Sequence, residues 1–348
     1  MKAQVFHGPG DLRFEDVPVP PPAAGELTLR IEAALTCGTD VKTLRRGHPV
    51  MIPRVPTVFG HELCGTVTAL GAGVTRFHEG DRLVAANSAP CGECRSCLAG
   101  RANLCEDLLF VNGAYGEFIT LPARLVARNV VKIADGTPAS RAAFVEPLAC
   151  ALLAIERARV ESGQTVVVFG HGPLGCLLAM AAGARKARVI LVGKGGWRFE
   201  RVRSLGIGEC VDASASAVDA TASPHDTVAA VRAVAGGAID VTIDATGRPE
   251  VWEEAVHAVD RGGSVVFFGG CAPGTVVRVD TRRMHYEELS LLGAFHHTPE
   301  MIRRAVDLLE SGAITPDGLL THRMRLPGVR DALELMARGE ALKVLIEP

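Results

Sequence analysis

Four cysteines lie close together in a loop-like stretch of the sequence, at Cys91, Cys94, Cys97 and Cys105. Their spacing, C-x2-C-x2-C-x7-C, would let four thiolates on one short loop surround a single tetrahedral Zn²⁺. Four protein sulfurs leave no coordination position for a substrate, so we predict a structural zinc. The alternative is a disulfide-rich loop, but disulfide-dense sequences are typically short and secreted, and this chain has 348 residues.

A second chemical motif is glycine-rich and follows the pattern G-x-G-x-x-G. It comes after a predicted strand and opens a predicted helix, and a second strand follows about twenty residues on, which is the context of a dinucleotide-binding loop. The first glycine would permit a tight turn, the second would let the backbone approach a pyrophosphate, and the third would let the helix pack on the strand. A plain glycine-rich turn is the alternative. The predicted cofactor-binding residues of this loop are Gly170, Gly172, Pro173, Leu174 and Gly175.

The end of the second predicted strand distinguishes the two nicotinamide cofactors. An NAD site usually has Asp or Glu there to bind the ribose 2′-hydroxyl, but this chain has Gly193. Lys194 and Arg198 follow closely, and two cations would suit the 2′-phosphate of NADP. We therefore predict NADP as the preferred cofactor, with NAD as the alternative if these are ordinary solvated charges.

A different set of possible metal ligands is spread along the chain: Cys37, His61, Glu62 and Glu146. One cysteine, one histidine and one carboxylate would hold a zinc while leaving a position for water or substrate. No short pattern defines such a site. From spacing alone, Cys37 could be a buried thiol, and His61 and Glu62 an ordinary hydrogen-bonded pair.

The elements that must position these residues change in character near residue 145. Before it, short apolar runs are broken by glycine and proline, which is typical of an irregular β-rich domain. After it, strands alternate with helices, which predicts an α/β domain with a doubly wound parallel sheet. The predicted strands are Thr165–Phe169, Arg188–Val192, Ala238–Ile243, Ser264–Phe268 and Leu291–Phe295, and the alanine-rich stretch Ala213–Ala222 is predicted to be a surface loop.

Composition limits the classes of function. The chain is 48% hydrophobic and long enough for two domains. Its formal net charge of −2, with no long basic run, argues against binding nucleic acid or a membrane surface through bulk charge. No stretch is typical of a signal peptide or a transmembrane helix. Ten cysteines in such a chain favour a reducing compartment, so we expect a cytoplasmic protein.

The whole chain resembles the zinc-containing medium-chain dehydrogenases/reductases, and within them the branch of sorbitol (polyol) and threonine dehydrogenases. The resemblance rests on the glycine loop, the four-cysteine stretch and four further segments. These segments are Cys37-Gly38-Thr39-Asp40, Gly60-His61-Glu62, Glu146-Pro147-Leu148 and Lys343 to Pro348.

The resemblance implies a GroES-like catalytic domain, formed by residues 1–145 and 290–348 with a structural zinc lobe at about 88–108, and a Rossmann domain at 146–289. The two separate ligand sets predict two zinc ions per chain. The catalytic zinc would be bound by Cys37 and His61, with Glu62 as a common third ligand and Glu146 reaching the metal directly or through water. Thr39 would relay the substrate proton, and Lys343 would lie near the cofactor pyrophosphate.

Two positions depart from the family pattern. Lys42 stands where many relatives have histidine, and His296-His297 stands where polyol dehydrogenases often have Arg-Tyr, so we predict an altered substrate pocket that includes both histidines. We predict reversible hydride transfer between a secondary alcohol, polyol or sugar-like, and NAD(P). The alternatives are L-threonine 3-dehydrogenase, a general secondary-alcohol dehydrogenase and a non-catalytic NADPH-binding protein. The expected partners are a small alcohol or ketone and further copies of the chain, as a homodimer or homotetramer.

Overall fold

The computed structural model describes residues 1–214 and 224–348, so most of the predicted loop Ala213–Ala222 lies outside the described residues. The chain divides into two units, the first formed by residues 1–149 and 297–348 and the second by residues 150–296. These divisions fall a few residues after the domain limits predicted from the sequence. In the described parts of the chain, no helix is both long enough and apolar enough to cross a membrane.

The N-terminal part of the first unit consists of short strands and short helices. Its strands are β1 (Lys2–Gly8), β2 (Asp11–Asp16), β3 (Leu27–Leu35), β4 (Thr57–Val58), β5 (Glu62–Leu70), β6 (Arg82–Ala85), β7 (Ser88–Ala89), β8 (Leu109–Phe110), β9 (Phe118–Leu121) and β10 (Val130–Lys132). Its helices are α1 (Gly38–Arg46), α2 (Arg95–Leu98), α3 (Ala123–Arg128), α4 (Ala139–Ala142) and α5 (Val145–Arg157), with a 3₁₀ turn at Ala102–Leu104. The division at residue 149 falls within α5.

Strands and helices alternate through the second unit. Its strands are β11 (Thr165–Phe169), β12 (Arg188–Gly193), β13 (Glu209–Asp212), β14 (Val241–Asp244), β15 (Ser264–Phe267) and β16 (Ser290–Gly293). Its helices are α6 (Pro173–Ala184), α7 (Trp197–Ser204), α8 (Pro224–Ala235), α9 (Pro249–Ala258) and α10 (Thr281–Tyr286).

The six strands of the second unit form one parallel sheet in the order β13-β12-β11-β14-β15-β16. Counted within the unit, this order is 3-2-1-4-5-6, which is the Rossmann arrangement. β11 and β14 lie at the centre of the sheet, where the strand order reverses. All five residues of β11 are buried, as expected for a β-branched run covered on both faces. The predicted doubly wound sheet is therefore confirmed.

The C-terminal part of the chain completes the first unit. Its elements are α11 (Pro299–Glu310), a 3₁₀ turn at Pro316–Leu319, β17 (Leu320–Arg325), a 3₁₀ turn at Leu326–Gly328, α12 (Val329–Arg338) and β18 (Lys343–Glu347). β18 lies between β3 and β17 in a seven-stranded sheet of order β10-β6-β5-β3-β18-β17, to which β9 adds by pairing with β3. Two smaller sheets, β2-β1-β4 and β7-β8, complete the β-rich unit.

Two local features of this fold place the predicted site residues. The antiparallel pairing of β3 with β5 sets Leu35 opposite Glu62, so the segment that follows β3 begins beside the start of β5. In the other unit, the glycine loop connects the end of β11 to the first turn of α6. Ligands of open α/β sheets bind at these carboxyl ends of the strands.

Candidate metal centres and cofactor site

The four cysteines of the first motif form one cluster, in which all four sulfur atoms lie within 4.8 Å of one another. The Sγ atoms of Cys91 and Cys97 are 3.9 Å apart, and so are those of Cys94 and Cys105. A tetrahedron with Zn–S bonds of about 2.3 Å has edges of about 3.8 Å, whereas a disulfide would need about 2.05 Å. All four thiols are free, so the geometry fits a structural zinc and excludes the disulfide alternative.

Backbone groups around this cluster favour thiolates. The N–H of Cys91 donates to Sγ of Cys105 at 3.2 Å, and the N–H of Cys94 donates to Sγ of Cys91 at 3.3 Å. The N–H groups of Glu106 and Cys97 lower the pKa of the Cys94 thiol to about 6. Burial instead raises the pKa of Cys97 to about 12. A bound cation would therefore displace a tightly held proton at Cys97, since only the thiolate is a metal ligand.

A second cluster unites Cys37, His61 and Glu62, whose possible ligand atoms lie within 4.8 Å of one another. Cys37 is the N-cap of α1, and its sulfur accepts a hydrogen bond from the N–H of Thr39 at 3.4 Å. A thiolate, an imidazole and a carboxylate are the donor set of a three-ligand zinc site.

Asp40 orients the histidine of this cluster. The Nδ1 atom of His61 lies 2.9 Å from Oδ1 of Asp40, and both side chains are buried. The other oxygen, Oδ2, accepts the N–H of Cys37 at 3.1 Å. Burial lowers the pKa of His61, but the Asp40 and Cys37 charges outweigh it and hold that pKa well above its usual range. A carboxylate behind the outer ring nitrogen leaves Nε2 as the nitrogen for a metal.

The two carboxylate oxygens of Glu62 differ in their surroundings. Its Oε2 accepts a hydrogen bond from Nζ of Lys343, the first residue of β18. Its Oε1 is buried and has no hydrogen-bond partner within the described residues. Burial raises the pKa of the Glu62 carboxyl, and the Lys343 ammonium opposes that rise. An unpaired buried carboxylate oxygen is costly unless a ligand satisfies it, so this group also fits a zinc ion.

Lys343 lies at this cluster in the structure, whereas the family resemblance implies a position near the cofactor pyrophosphate. Its ammonium is buried, pairs with Glu62, and lies 6.0 Å from the centroid of the Phe144 ring. All three residues belong to the first unit. The sequence offered no signal for the Glu62–Lys343 pair, because the two residues are 281 positions apart.

The remaining predicted residues of the metal and substrate sites lie outside the Cys37 cluster. Glu146 is buried and lies outside the Cys37 cluster, with its Oε1 3.9 Å from Nε2 of His297. His297 is also buried, and its Nε2 lies 2.9 Å from Oδ1 of Asn87. His296 belongs to the other unit and has a left-handed backbone, with φ 63°. Thr39 is half-buried two residues after Cys37.

Sequence reasoning missed His48, which lies in the segment after α1. It is half-buried, and its Nδ1 accepts the N–H of Met51 at 3.1 Å. That contact leaves the ring proton on Nε2, so the ring can donate a hydrogen bond. Burial lowers the pKa of His48, and the charges on Arg46 and His61 lower it further. The only signal was a lone histidine in a loop, which has no recognisable pattern.

The glycine loop of the second unit has the tight geometry that its sequence predicts. Gly170 has φ 116°, and Pro173 is the first residue of α6. A Cβ on Gly175 would lie 1.8 Å from the carbonyl oxygen of Gly170, so only glycine allows the helix to start this close to the strand. Leu174 is half-buried between the last two of these loop residues.

The two cations predicted to bind a 2′-phosphate differ in their surroundings. Arg198, in the first turn of α7, is partly buried, and its Nε has no hydrogen-bond partner within the described residues. Its Nη2 lies 3.5 Å from the position of a Cβ on Gly172. Lys194 is exposed, and its charge acts on Glu250 and Glu254 of α9. The structure thus brings Arg198 to the glycine loop and leaves Lys194 in solvent.

Comparisons with known proteins agree with this arrangement. The family model of the alcohol dehydrogenase GroES-like domain matches residues 23–134, and the zinc-binding dehydrogenase model matches residues 173–311. The chain is 31% identical to an L-threonine 3-dehydrogenase of Rhizobium etli, over 97% of this chain and 95% of that one. It is 30% identical to a sorbitol dehydrogenase of Bombyx mori, over 99% and 97% of the two chains.

The chain belongs to the zinc-containing medium-chain dehydrogenase/reductase family. A crystal structure of a zinc-binding dehydrogenase from Sinorhizobium meliloti 1021, bound to NADP, superimposes with a TM-score of 0.87 at 29% identity and covers 100% of this chain and 99% of that one. The chain is thus a zinc-dependent dehydrogenase of alcohols or polyols that uses NAD(P). The predicted enzyme class, and the GroES-like and Rossmann architecture, are confirmed, and the non-catalytic alternative is set aside.

Proposed function

We propose that this dehydrogenase interconverts a secondary alcohol of a small polyol or sugar-like compound and the matching ketone, with NADP(H) as the preferred cofactor. The observation that carries the proposal is the cluster of the half-buried Cys37 with the buried His61 and Glu62, in which one Glu62 oxygen has no hydrogen-bond partner within the described residues. When bound, zinc supplies a Lewis acid for the alcohol oxygen and the nicotinamide supplies the hydride acceptor. The protein groups position the substrate and move the proton.

Each residue near the cluster has a proposed task. Cys37 and His61 hold the metal, with Asp40 fixing the orientation of the imidazole. Glu62 is the third ligand through its free Oε1, and Glu146 holds water or substrate near the metal. The Thr39 hydroxyl receives the substrate proton and passes it outward. Lys42 is exposed and stands where many relatives have histidine. The path by which the proton leaves the site therefore ends in solvent at the Lys42 side chain.

The substrate class follows from the number of polar groups on the first unit. His48 offers an N–H donor, and the buried pair of Glu146 and His297 offers both an acceptor and a donor. Polar groups of this kind favour a substrate that carries further hydroxyls, because a site built to hydrogen-bond a hydroxyl discriminates against analogues that lack it. His296 is proposed as a further substrate contact.

The cofactor preference rests on Arg198. A partly buried guanidinium whose Nε lacks a partner within the described residues is a ready site for an anion. The second strand ends in Gly193 rather than in a carboxylate, so nothing at that residue would repel a 2′-phosphate.

The test is a comparison of kcat/KM for polyols, sugar-like alcohols, L-threonine and simple secondary alcohols of similar size, each with NAD⁺ and with NADP⁺. We expect polyols with NADP⁺ to give the highest values. Preference for simple alcohols would replace the polyol assignment with a general secondary-alcohol dehydrogenase. Higher values with NAD⁺ would contradict the role of Arg198 but leave the substrate class standing.

L-Threonine 3-dehydrogenase is the second candidate, since a relative of that name is 31% identical along nearly the whole chain. Threonine carries an ammonium and a carboxylate beside its secondary hydroxyl, so it needs charged partners rather than neutral donors. Its rank in the same substrate comparison decides between the two. We also propose that the enzyme is a cytoplasmic homodimer or homotetramer, which light scattering and cell fractionation would test.

A further inference from the structure

The end of β12 has no space for a side chain. A Cβ on Gly193 would lie 2.2 Å from Nδ1 of His171 and 2.5 Å from its Cγ. These separations are far below any van der Waals contact, so the imidazole occupies the place into which a side chain at 193 would extend. His171 is the second residue of the glycine loop, so the loop itself fills the position where an NAD enzyme carries its acid.

Packing holds the imidazole in this position. The ring lies edge-to-face on Phe199, with centroids 5.9 Å apart and an interplanar angle of 78°. Phe199 is buried in the first turn of α7. Burial and the nearby Arg198 charge lower the pKa of His171 to about 4. The ring is therefore neutral near pH 7, with one donor and one acceptor nitrogen.

Among the residues that the structure describes, the carboxylate of Asp212 lies near this point and is already hydrogen-bonded. Asp212 pairs with Gly193 in the sheet register. Its Oδ1 accepts hydrogen bonds from the N–H of Gly195 at 2.8 Å and from the N–H and hydroxyl of Ser214. These contacts lower the pKa of Asp212 and use its charge to hold the turn after β12. In the described part of the chain, the neutral imidazole of His171 thus lies against Gly193, and the guanidinium of Arg198 lies beside Gly172.

We infer that His171 is a specificity-determining residue of the cofactor site, which excludes a carboxylate at position 193 and donates a hydrogen bond to the 2′-phosphate of NADP(H) beside Arg198. This inference rests on the proposed preference for NADP(H). It adds that the preference for NADP(H) over NAD(H) depends on His171 and Gly193 together. Changing Gly193 alone cannot convert the site to NAD, because the acid collides with the ring.

The experiment measures Kd for NADPH and NADH by fluorescence titration of the purified enzyme in four forms: wild type, His171→Ala, Gly193→Asp and the double variant. His171→Ala should weaken NADPH binding by about tenfold or more, the scale of a hydrogen bond to a charged group, and NADH binding by less than about threefold. Gly193→Asp alone should weaken NADPH binding without tightening NADH binding. The double variant should bind NADH at least about tenfold more tightly than Gly193→Asp does.

Matched variants separate these effects from misfolding. His171→Gln keeps a neutral donor and should retain NADPH binding within about threefold. If Gly193→Asp does not fold, Gly193→Ala and Gly193→Ala/His171→Ala replace the pair, since a Cβ alone meets the ring. Equal NADH binding by Gly193→Asp and the double variant would overturn the inference whatever the wild-type preference. A wild type that binds NADH more tightly would instead refute the NADP(H) proposal, and the comparison of single and double variants would still decide the role of His171 as a block.

Discussion

The hydroxyl of Tyr115 donates a hydrogen bond of 2.5 Å to Oδ2 of Asp40, while Oδ1 of the same carboxylate lies 2.9 Å from the His61 ring. A buried phenol thus donates to the carboxylate that lies beside His61, the proposed metal ligand. Burial and the Asp40 charge hold the pKa of Tyr115 well above its usual range, so the phenol remains a donor in any practical buffer. Groups behind a metal-bound histidine fix its tautomer and its orientation.

Tyr115→Phe removes this donor while keeping the ring. We expect zinc affinity at the Cys37 cluster, and kcat with it, to fall about tenfold, the lower end of the effect seen when such a supporting group is lost. Competition with a chromophoric chelator gives the affinity, and steady-state kinetics give kcat. Asp40→Asn is the stronger comparison and should have the larger effect. Unchanged zinc affinity in Tyr115→Phe would show that Asp40 needs no support.

The ring of Tyr115 leaves no space for a side chain at Gly60. The φ of Gly60 is +85°, and a Cβ there would lie 2.7 Å from the Tyr115 ring. Gly73 has nearly the same φ, +83°, but nothing within 4 Å, so Gly73→Ala measures the backbone cost alone. We expect the midpoint of thermal unfolding to fall about 4 °C further in Gly60→Ala than in Gly73→Ala. Equal shifts in the two variants would mean that the ring moves aside freely.

The four-cysteine cluster and the Cys37 cluster should lose their zinc ions independently. Cys97→Ser should reduce the zinc content from two ions to one per chain and lower the unfolding temperature, because a four-thiolate site contributes folding free energy. Cys37→Ser should also lose one zinc but abolish turnover with a smaller loss of stability. Cys210→Ser, outside both clusters, should retain two. Elemental analysis of the three proteins is the measurement, and full activity in a metal-free wild type would refute the zinc mechanism.

Glu62 and Lys343 should depend on each other for stability. Both side chains are buried, so Glu62→Gln leaves an ammonium without its partner and Lys343→Met leaves a carboxylate without its partner. Each single change in the zinc-free protein should cost about 3 kcal/mol or more, whereas Glu62→Gln/Lys343→Met should be more stable than either. Thermal unfolding in excess chelator gives the comparison. Losses that simply add in the double variant would contradict the pairing.

Stability should depend on pH through Glu254, whose pKa is raised to about 7 by burial and by the Glu250 charge. The folded state then holds a proton that the unfolded chain releases near pH 4.5. This group therefore makes the protein less stable as pH rises from 4.5 through 7. Glu254→Gln should raise the unfolding temperature at pH 8 and leave it unchanged at pH 5. An equal rise at both pH values would show that the carboxyl is not the cause.

The sequence was most informative where one short segment holds the whole motif. The four cysteines and the glycine loop each lie within a few residues, so their spacing alone predicts their geometry. The Cys37 cluster depends on the pairing of β3 with β5, which residue spacing does not show. Its prediction therefore relied on the family resemblance. The supporting residue Tyr115 and the contact of His171 with Gly193 carried no sequence signal, because they depend on side-chain packing. Among the strands, β13 was missed because its four residues show no alternation.

The position of β18 has a consequence for the order in which the enzyme is completed. The proposed metal ligands Cys37 and His61 leave the ribosome early, together with strands β3 and β5 beside them. The hydrogen bond between Thr36 and Val344 spans 308 positions, and the whole of the second unit is synthesised in that interval. Because domains tend to fold as they emerge, the nucleotide-binding unit can reach its final form while the catalytic sheet still lacks the strand between β3 and β17. Lys343 can therefore neutralise the charge on Glu62 only after nearly the entire chain has been synthesised.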